Sequence, residues 1–442
     1  MFTGRESELS FLKNHYTGGG SRILVVYGRK GVGKTALLRR FSEDKKWVYY
    51  MARSCSEREQ RYQWARELDK AAQEERFPSY RELLGESLDG IEKGILIIDE
   101  FHHLVKTEPS FIQELIQYFK ENAQKEILVI LCSSASGWIE NSMVSKIGRS
   151  ALALSGLLKV RELRFAEMRR LFSKYSMEDA LKIYAILGGN PGLWNSFSEE
   201  LSADENVKAY LLPADCRLQE SLSISIAEEL RETAVYNTIL SAMAGGVCKL
   251  NDLYLHTGFS RAKISVYLKN LMELDLVEKV NSFQSAGYEN TQKGIYRIAN
   301  PCVHFYFRFL YPYQSAMMKI SSEEFFEQYL ERELPDFMKN AYRKVCTELL
   351  SEEYASVGEW IGKKGNIDVI ARRGSGELMC GMCVFGRKVT AADYRDFEDC
   401  LKKAKLQPSE IRFFCENGAE ETFLEMKEAE TVRLDSLRSR FI

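Results

Sequence analysis

The chain has 442 residues and a mass of 50.9 kDa, room for about three domains at ~100–200 residues each. Its 61 Lys+Arg against 63 Asp+Glu leave a net charge of -2 and a pI near 6.3, which disfavours both a strongly basic nucleic-acid binder and an acidic disordered tail. With 45% hydrophobic residues, no apolar run near ~18 residues and a polar start (MFTGRESEL), a soluble cytoplasmic protein without a membrane segment or signal peptide is expected.

In chain order, RILVVY (22–27) is a short apolar run, GRKGVGKT follows it, and ALLRRFSE has helical spacing. WVYYMA (47–52) reads as a second strand, and residues 56–90, rich in Arg, Glu and Gln with spaced Leu and Tyr, as helices. GILIIDE (94–100) is an apolar strand closed by two acids, 109–123 an amphipathic helix opening on Pro and Ser, and EILVILCSS (126–134) another buried strand. Apolar strands alternating with helices predict a parallel sheet covered on both faces. From about 159 helices take over, at 165–187 and 193–210, split by GGNPG (188–192). Further helices at 228–244, 248–256 and 260–276, then VEKVNSF and GIYRIAN around a polar stretch (284–293), predict a winged helix-turn-helix. Helices to 350, strands at 365–371, 377–385 and 411–416 and a helix at 391–405 describe a last, smaller α/β unit.

Ten cysteines are scattered, several (Cys132, Cys346, Cys415) in apolar strings, as free thiols in a cytosolic chain would be. Cys380 and Cys383 form a CxxC, yet no second ligand pair accompanies it, so two positions on a buried strand are expected rather than a metal or redox site.

Gly28-Arg29-Lys30-Gly31-Val32-Gly33-Lys34-Thr35 matches G-x-x-x-x-G-K-[ST] between a strand and a helix. Its glycines let the backbone curl so that consecutive N–H groups, with those of the helix start at Ala36, cradle phosphate oxygens. Lys34 would neutralise β/γ-phosphate charge, and the Thr35 hydroxyl would ligate Mg2+. Asp99, at the end of ILIIDE, is placed to hold the Mg2+ and Glu100 to activate the attacking water. Ser134, or Ser133 one step before it, closes the next strand as a candidate γ-phosphate sensor. His102 and His103, adjacent and without metal-type spacing, read as structural.

Phe2-x-Gly4-Arg5-x-x-Glu8-Leu9, IIDEF, LCSS, Ile147-Gly148-Arg149 and Gly188-Gly189-Asn190-Pro191 together resemble the archaeal-type ATPase family, found also in bacteria and related to the signal-transduction ATPases with numerous domains and to AAA+ proteins. The segment IANPCVHFYFRFLYPY (298–313) resembles that family's join between a winged helix and a restriction-endonuclease-like domain, so the likeness spans the chain. The resemblance implies four segments: a P-loop ATPase core (1–158), a helical lid (159–227), a winged helix-turn-helix (228–313) and a nuclease-like α/β domain (314–442). It implies that the Gly4-Arg5 turn and Pro191 flank the adenine, that Arg149 acts on the γ-phosphate in cis or toward a neighbour, and that Ser134 is the sensor. Ser133 stands where the family usually has Gly.

Nucleases of the last fold need an Asp and a Glu-x-Lys on the next strand. Asp368 is present, but Met382 and Val384 stand at the expected Glu and Lys positions, so unless a residue such as Glu377 or Lys388 replaces them a catalytically dead module is expected. The candidate recognition helix carries Arg261, Lys263 and Lys269, a mildly basic face on which DNA contact and a lever packed on the ATPase stay open as alternatives. The expected function is a Mg-ATP-binding, slowly hydrolysing switch with ATP/ADP as ligands, an unknown protein partner, homo-oligomerisation on ATP binding and no membrane. The rivals are an ATP-regulated DNA-binding regulator or defence protein, and a scaffold holding nucleotide as a structural cofactor.

Overall fold

A computed structural model of the chain describes residues 3–68, 77–213, 216, 232–283, 294–362, 365–426, 429–434 and 436. Phe2, residues 69–76 of the helices expected over 56–90, residues 228–231 of that expected over 228–244, and the 284–293 stretch between the wing strands lie outside the described residues. The chain divides into two compact units, Met1–Leu163 with Asn190–Gly192, and Arg164–Gly189 with Leu193–Ile442. Among the described residues no helix is long and apolar enough to cross a membrane.

The first unit runs α1 (Glu6–Thr17), β1 (Arg22–Tyr27), α2 (Lys34–Ser42), β2 (Trp47–Met51), α3 (Glu57–Leu68), α4 (Tyr80–Ser87), β3 (Lys93–Asp99), α5 (His102–Thr107), α6 (Phe111–Glu121), β4 (Glu126–Ser133) and β5 (Leu154–Lys159). The five strands pair in parallel in the order β2-β3-β4-β1-β5. The central three are apolar throughout because both sheet faces are covered. Ile23, Val25, Leu96, Ile98, Val129 and Leu131 fill one core, while Leu24, Val26, Ile95, Ile97, Leu128 and Ile130 fill the other. That alternation is the period of two that a strand imposes on its side chains. β2 at the edge turns Trp47, Tyr49 and Met51 outward. β5, the other edge, has no counterpart in the sequence reading, since half-exposed LSGLLK lacks the apolar run of the central strands.

In the second unit, helices Phe165–Leu171 and Met177–Leu187 share the Glu348 carboxylate of helix Leu334–Leu350, which accepts the Phe165 N–H (3.0 Å) and the Tyr184 hydroxyl (2.9 Å). The winged helix-turn-helix comprises helices Thr233–Ala244, Leu250–Thr257 and Arg261–Glu273 and the antiparallel strands β6 (Val277–Val280) and β7 (Ile295–Ile298). Ile239, Leu240, Leu253, Ile264, Leu268 and Leu271 are among its buried apolar residues. Ser260 caps the third helix, its hydroxyl accepting the Lys263 N–H.

A second sheet follows, in the order β12 (Glu430–Arg433), β11 (Glu410–Cys415), β10 (Leu378–Val384), β9 (Asn366–Arg372), β8 (Ser356–Ile361), with helix Ala391–Ala404 on its core side. β8, β9 and β10 are antiparallel, and β10, β11 and β12 parallel. The wing joins this sheet. The Phe283 N–H donates to the Glu359 carbonyl (2.6 Å), the Ile361 N–H donates to Ser282 Oγ (3.0 Å), and the Phe283 ring packs into the sheet's core against Gly358. Arg297 from β7 grips the Glu359 carboxylate through both terminal nitrogens, and Arg343 adds a third contact at 3.1 Å.

Candidate nucleotide site

Parallel pairing sets the ends of β1, β3 and β4 level. Tyr27 pairs with Ser133, and Ile98 with Leu131, so Gly28, Asp99 and Ser134 emerge at one edge of the sheet. Strand ends in such a crevice are where α/β sheets bind ligands. Backbone bonds fix the rim: Gly28 N–H to Ser133 O (3.2 Å), Phe101 N–H to Cys132 O (3.0 Å) and Ala52 N–H to Asp99 O (2.9 Å).

The loop from Gly28 to Gly33 turns on residues that need glycine. Gly31 (φ 84°) has no room for a Cβ, which would sit 2.5 Å from Asn190 Oδ1, and Gly33 (φ 98°) opens α2 in the left-handed region. Among the described residues no side chain caps α2, so its first-turn N–H groups at Lys34, Thr35 and Ala36 remain available to an anion. Lys34 is buried, and its ammonium folds back to donate to the carbonyls of Gly28 (2.6 Å) and Arg29 (3.0 Å). Thr35 and Ala36 are exposed at the helix start. Arg29 pairs with Glu162 at 3.6 Å, while Lys30 and Val32 lend backbone carbonyls to neighbouring side chains. The hydroxyl of Thr35 and the carboxylate of Asp99 are hard oxygen donors of the kind Mg2+ takes, so the residues fit a magnesium–phosphate group.

Asp99 is buried; its Oδ2 accepts the Tyr49 hydroxyl (2.8 Å) and its Oδ1 the Glu100 N–H (2.9 Å). Burial and the Asp99 carboxylate raise the Tyr49 phenol well above its ordinary range, keeping it a donor. Glu100 is a non-glycine residue with φ 50°, a strained conformation that the strand end and its partners hold. Its Oε2 accepts the N–H and the hydroxyl of Ser134, each at 2.9 Å, and lies 3.3 Å from His102 Nδ1. Burial would raise this carboxyl, but those donors outweigh it and draw it down to about 2. Of the two serines, Ser134 touches Glu100, whereas Ser133 Oγ lies 3.0 Å from His102 Nδ1 and accepts the Ala135 N–H at 3.1 Å.

Other expected residues fall around this centre. Gly4 and Arg5 have consecutive positive φ values (73° and 71°), and the Arg5 guanidinium donates to Val32 O (2.9 Å) and Arg161 O (2.6 Å) while pairing with Glu8 (2.9 Å). Arg5 thus ties the N-terminal turn to the loop. Pro191 opens a short helical turn whose Gly192 N–H donates to Gly31 O (3.0 Å). Arg149 is exposed on the 3-10 stretch Gly148–Ala153, and among the described residues no hydrogen bond or ion pair holds it.

Three residues of the site escape the sequence reading. Asn190 donates to Lys30 O (2.9 Å) and accepts the Gly192 N–H (3.0 Å), a cross-brace for the loop; an Asn between Gly and Pro is a signal for such a turn. Tyr49 is signalled only by its place two residues before the end of β2. His102, read as structural, faces Glu100 and Ser133.

Around Asp368 the surroundings come from β10. Met382 and Val384 point into the sheet's core with Cys380, and the residue against the aspartate is Cys383, whose N–H donates to Asp368 Oδ2 (3.0 Å). Burial raises the Asp368 carboxyl above its ordinary range despite that N–H. On the recognition-type helix, Arg261 lies over Tyr254 (4.5 Å), Lys263 over Phe259 (4.9 Å), and Lys269 pairs with Glu273 (3.7 Å).

Three parts of the chain match known families. Residues 2–197 match the model of an ATPase domain predominantly from Archaea, 237–279 that of bacterial regulatory proteins of the arsR family, and 306–393 that of archaeal and bacterial proteins of unknown function. An uncharacterized protein of Methanocaldococcus jannaschii is 25% identical over 433 residues, covering 92% of each chain. An uncharacterized ATP-binding protein of the same organism is 41% identical over 46 residues, 10% of this chain and 78% of its own. Among solved structures, a Walker-type ATPase of Pyrococcus abyssi is similar at a TM-score of 0.49 and 16% identity, over 70% of this chain and 96% of its own.

Proposed function

We propose that this chain, whose residues 2–197 match the model of an ATPase domain predominantly from Archaea, is a Mg-ATP-binding switch that hydrolyses ATP slowly and passes its nucleotide state to the winged helix and C-terminal domain. The observation that carries the reading is the convergence of the glycine loop, Asp99, Glu100 and Ser134 on the level ends of three adjacent parallel strands. In this reading the amides of Gly28 to Ala36 hold the phosphates, and Lys34 leaves its own loop's carbonyls for the β/γ oxygens. Thr35 and Asp99 would hold Mg2+, which when bound neutralises charge on those oxygens. Glu100 takes a proton from the attacking water, and Ser134, already on Glu100, reports the γ-phosphate. Gly4-Arg5 and Pro191 flank the base, and Arg149, exposed and uncommitted, supplies positive charge to the γ-phosphate in cis or from a second copy.

The test is calorimetry on nucleotide-stripped protein combined with phosphate release. Mg-ATP should bind with measurable heat, and Lys34→Ala should weaken it about 100-fold, as loss of a charged donor to phosphate does. No heat with any purine triphosphate would end the reading. The arsR-type match of residues 237–279 favours a second reading, ATP-regulated DNA binding. Duplex DNA added to the same assay distinguishes them: stimulation that falls steeply with salt supports the second.

A further inference from the structure

His102 is buried at the start of α5, two residues after Glu100 and outside the roles assigned above. Its Nδ1 lies between two oxygens, Ser133 Oγ at 3.0 Å and Glu100 Oε2 at 3.3 Å. A lone pair at Nδ1 would face the carboxylate, so we assign the proton to Nδ1, where both oxygens accept it. The ring is kept in place by His103, whose centroid is 4.0 Å away, and by Trp138 at 6.1 Å. Burial and His102 draw His103 down to about 4, so this neighbour is uncharged near neutral pH. The contacts on Glu100 are also one-sided. Ser134 N–H, Ser134 hydroxyl and His102 all meet Oε2, and among the described residues no hydrogen bond or ion pair engages Oε1.

We propose that His102 is a positioning residue for hydrolysis: with Ser134 it pins Oε2 of Glu100, so that Oε1 alone is presented to the attacking water. This rests on the reading of Glu100 as the base. A carboxylate free to swing about its side chain would offer either oxygen at variable distance, and a misplacement of about 1 Å in such a group can cost up to 100-fold. The strained φ of Glu100 makes an external hold the more necessary, because the backbone there gains nothing from the helical or extended minima.

The experiment is steady-state turnover with equilibrium ATP binding on the full chain. His102→Leu should lower kcat about tenfold with KM and the ATP Kd unchanged, a split that a general loss of structure would not give. His102→Asn, whose amide N–H falls near the Nδ1 position, should recover most of the rate. In a Glu100→Gln background His102→Leu should cost nothing further, because the residue acts only through that carboxylate. Should His102→Leu fail to fold, Ser133→Ala removes the ring's other partner and should lower kcat about threefold, again with no effect beside Glu100→Gln. An unchanged kcat in His102→Leu, an equal fall in the Glu100→Gln background, or no rescue by Asn would overturn the proposal. A Glu100→Gln chain that turns over like the parent would instead overturn the reading of Glu100, whatever the His102 variants do.

Discussion

Each of the two large sheets ends or carries a strand with an aspartate, Asp99 on β3 and Asp368 on β9, and their surroundings diverge. On the same sheet edge as Asp99, the Lys34 ammonium donates to two carbonyls of its own loop, bonds that a phosphate can replace. Near Asp368 the cations Arg297 and Arg343 are both committed to Glu359, in contacts largely screened from solvent. The first aspartate accepts from a neighbouring strand's tyrosine and from the next residue's N–H; the second accepts a strand amide and is driven up by burial. A strand-end carboxylate becomes chemically useful only where adjacent strands bring charge that can still move. Where the charge is already spent on a clamp, the same residue is structural.

The contrast can be broken at its active side first. Glu100→Gln should lower ATP turnover about a thousandfold while leaving nucleotide binding intact, the scale of losing a general base; phosphate release and calorimetry on one sample decide it. On the other side, Glu359→Ala should leave two poorly solvated arginines without their partner and cost about 3 kcal/mol of folding stability, read from urea midpoints. A cost near zero would show that the clamp is not what sets the two sites apart.

The smallest effect is the sharpest comparison, since the two carboxyls respond to acid with opposite sign. Glu100 is lowered in the fold, so its contribution is fully present above about 4.5 and is lost as pH falls toward 2. Asp368 is raised, so the folded state holds its proton more tightly and gains stability as pH falls through its titration. Relative to the parent, Glu100→Gln should therefore lose less stability on acidification, and Asp368→Asn should lack a gain. Asp368→Asn should also leave ATP turnover unchanged. Urea midpoints from pH 7 to 4 for the three chains measure both signs.

The sequence makes some of this legible for physical reasons. The phosphate loop is local: a backbone that curls over eight residues needs glycines at fixed spacing, and Lys34 and Thr35 follow in register. The central strands are legible because burial on both faces leaves only apolar residues, and Asp99 and Glu100 stand out as the break in that run. Edge strands β5 and β8 are half exposed and carry no such signature. Asn190, 159 residues beyond Gly31, and Tyr49, on a strand two places from β4, meet the site only through tertiary pairing. His102 was visible but not interpretable, because adjacent histidines suggest divergence while the turn at Glu100 brings the first one back. On β10, Met382 and Val384, read at the positions where nucleases of this fold carry Glu and Lys, pack toward the core with Cys380.

The captured wing bears on how this molecule can be divided. Ser282 lends its hydroxyl, and Phe283 its N–H and phenyl ring, to a sheet whose nearest strand begins more than seventy residues later. A piece ending at 313 would carry Phe283 bare and Arg297 without its counter-ion; a piece beginning at 314 would open the edge of β8 as an unpaired, aggregation-prone strand. A fragment fit for isolated study therefore keeps the stretch from the helix at Thr233 through β12 unbroken and retains the helices Phe165–Leu171 and Met177–Leu187 that donate to Glu348, and any chimera that trades the last sheet between relatives must carry the wing along with it.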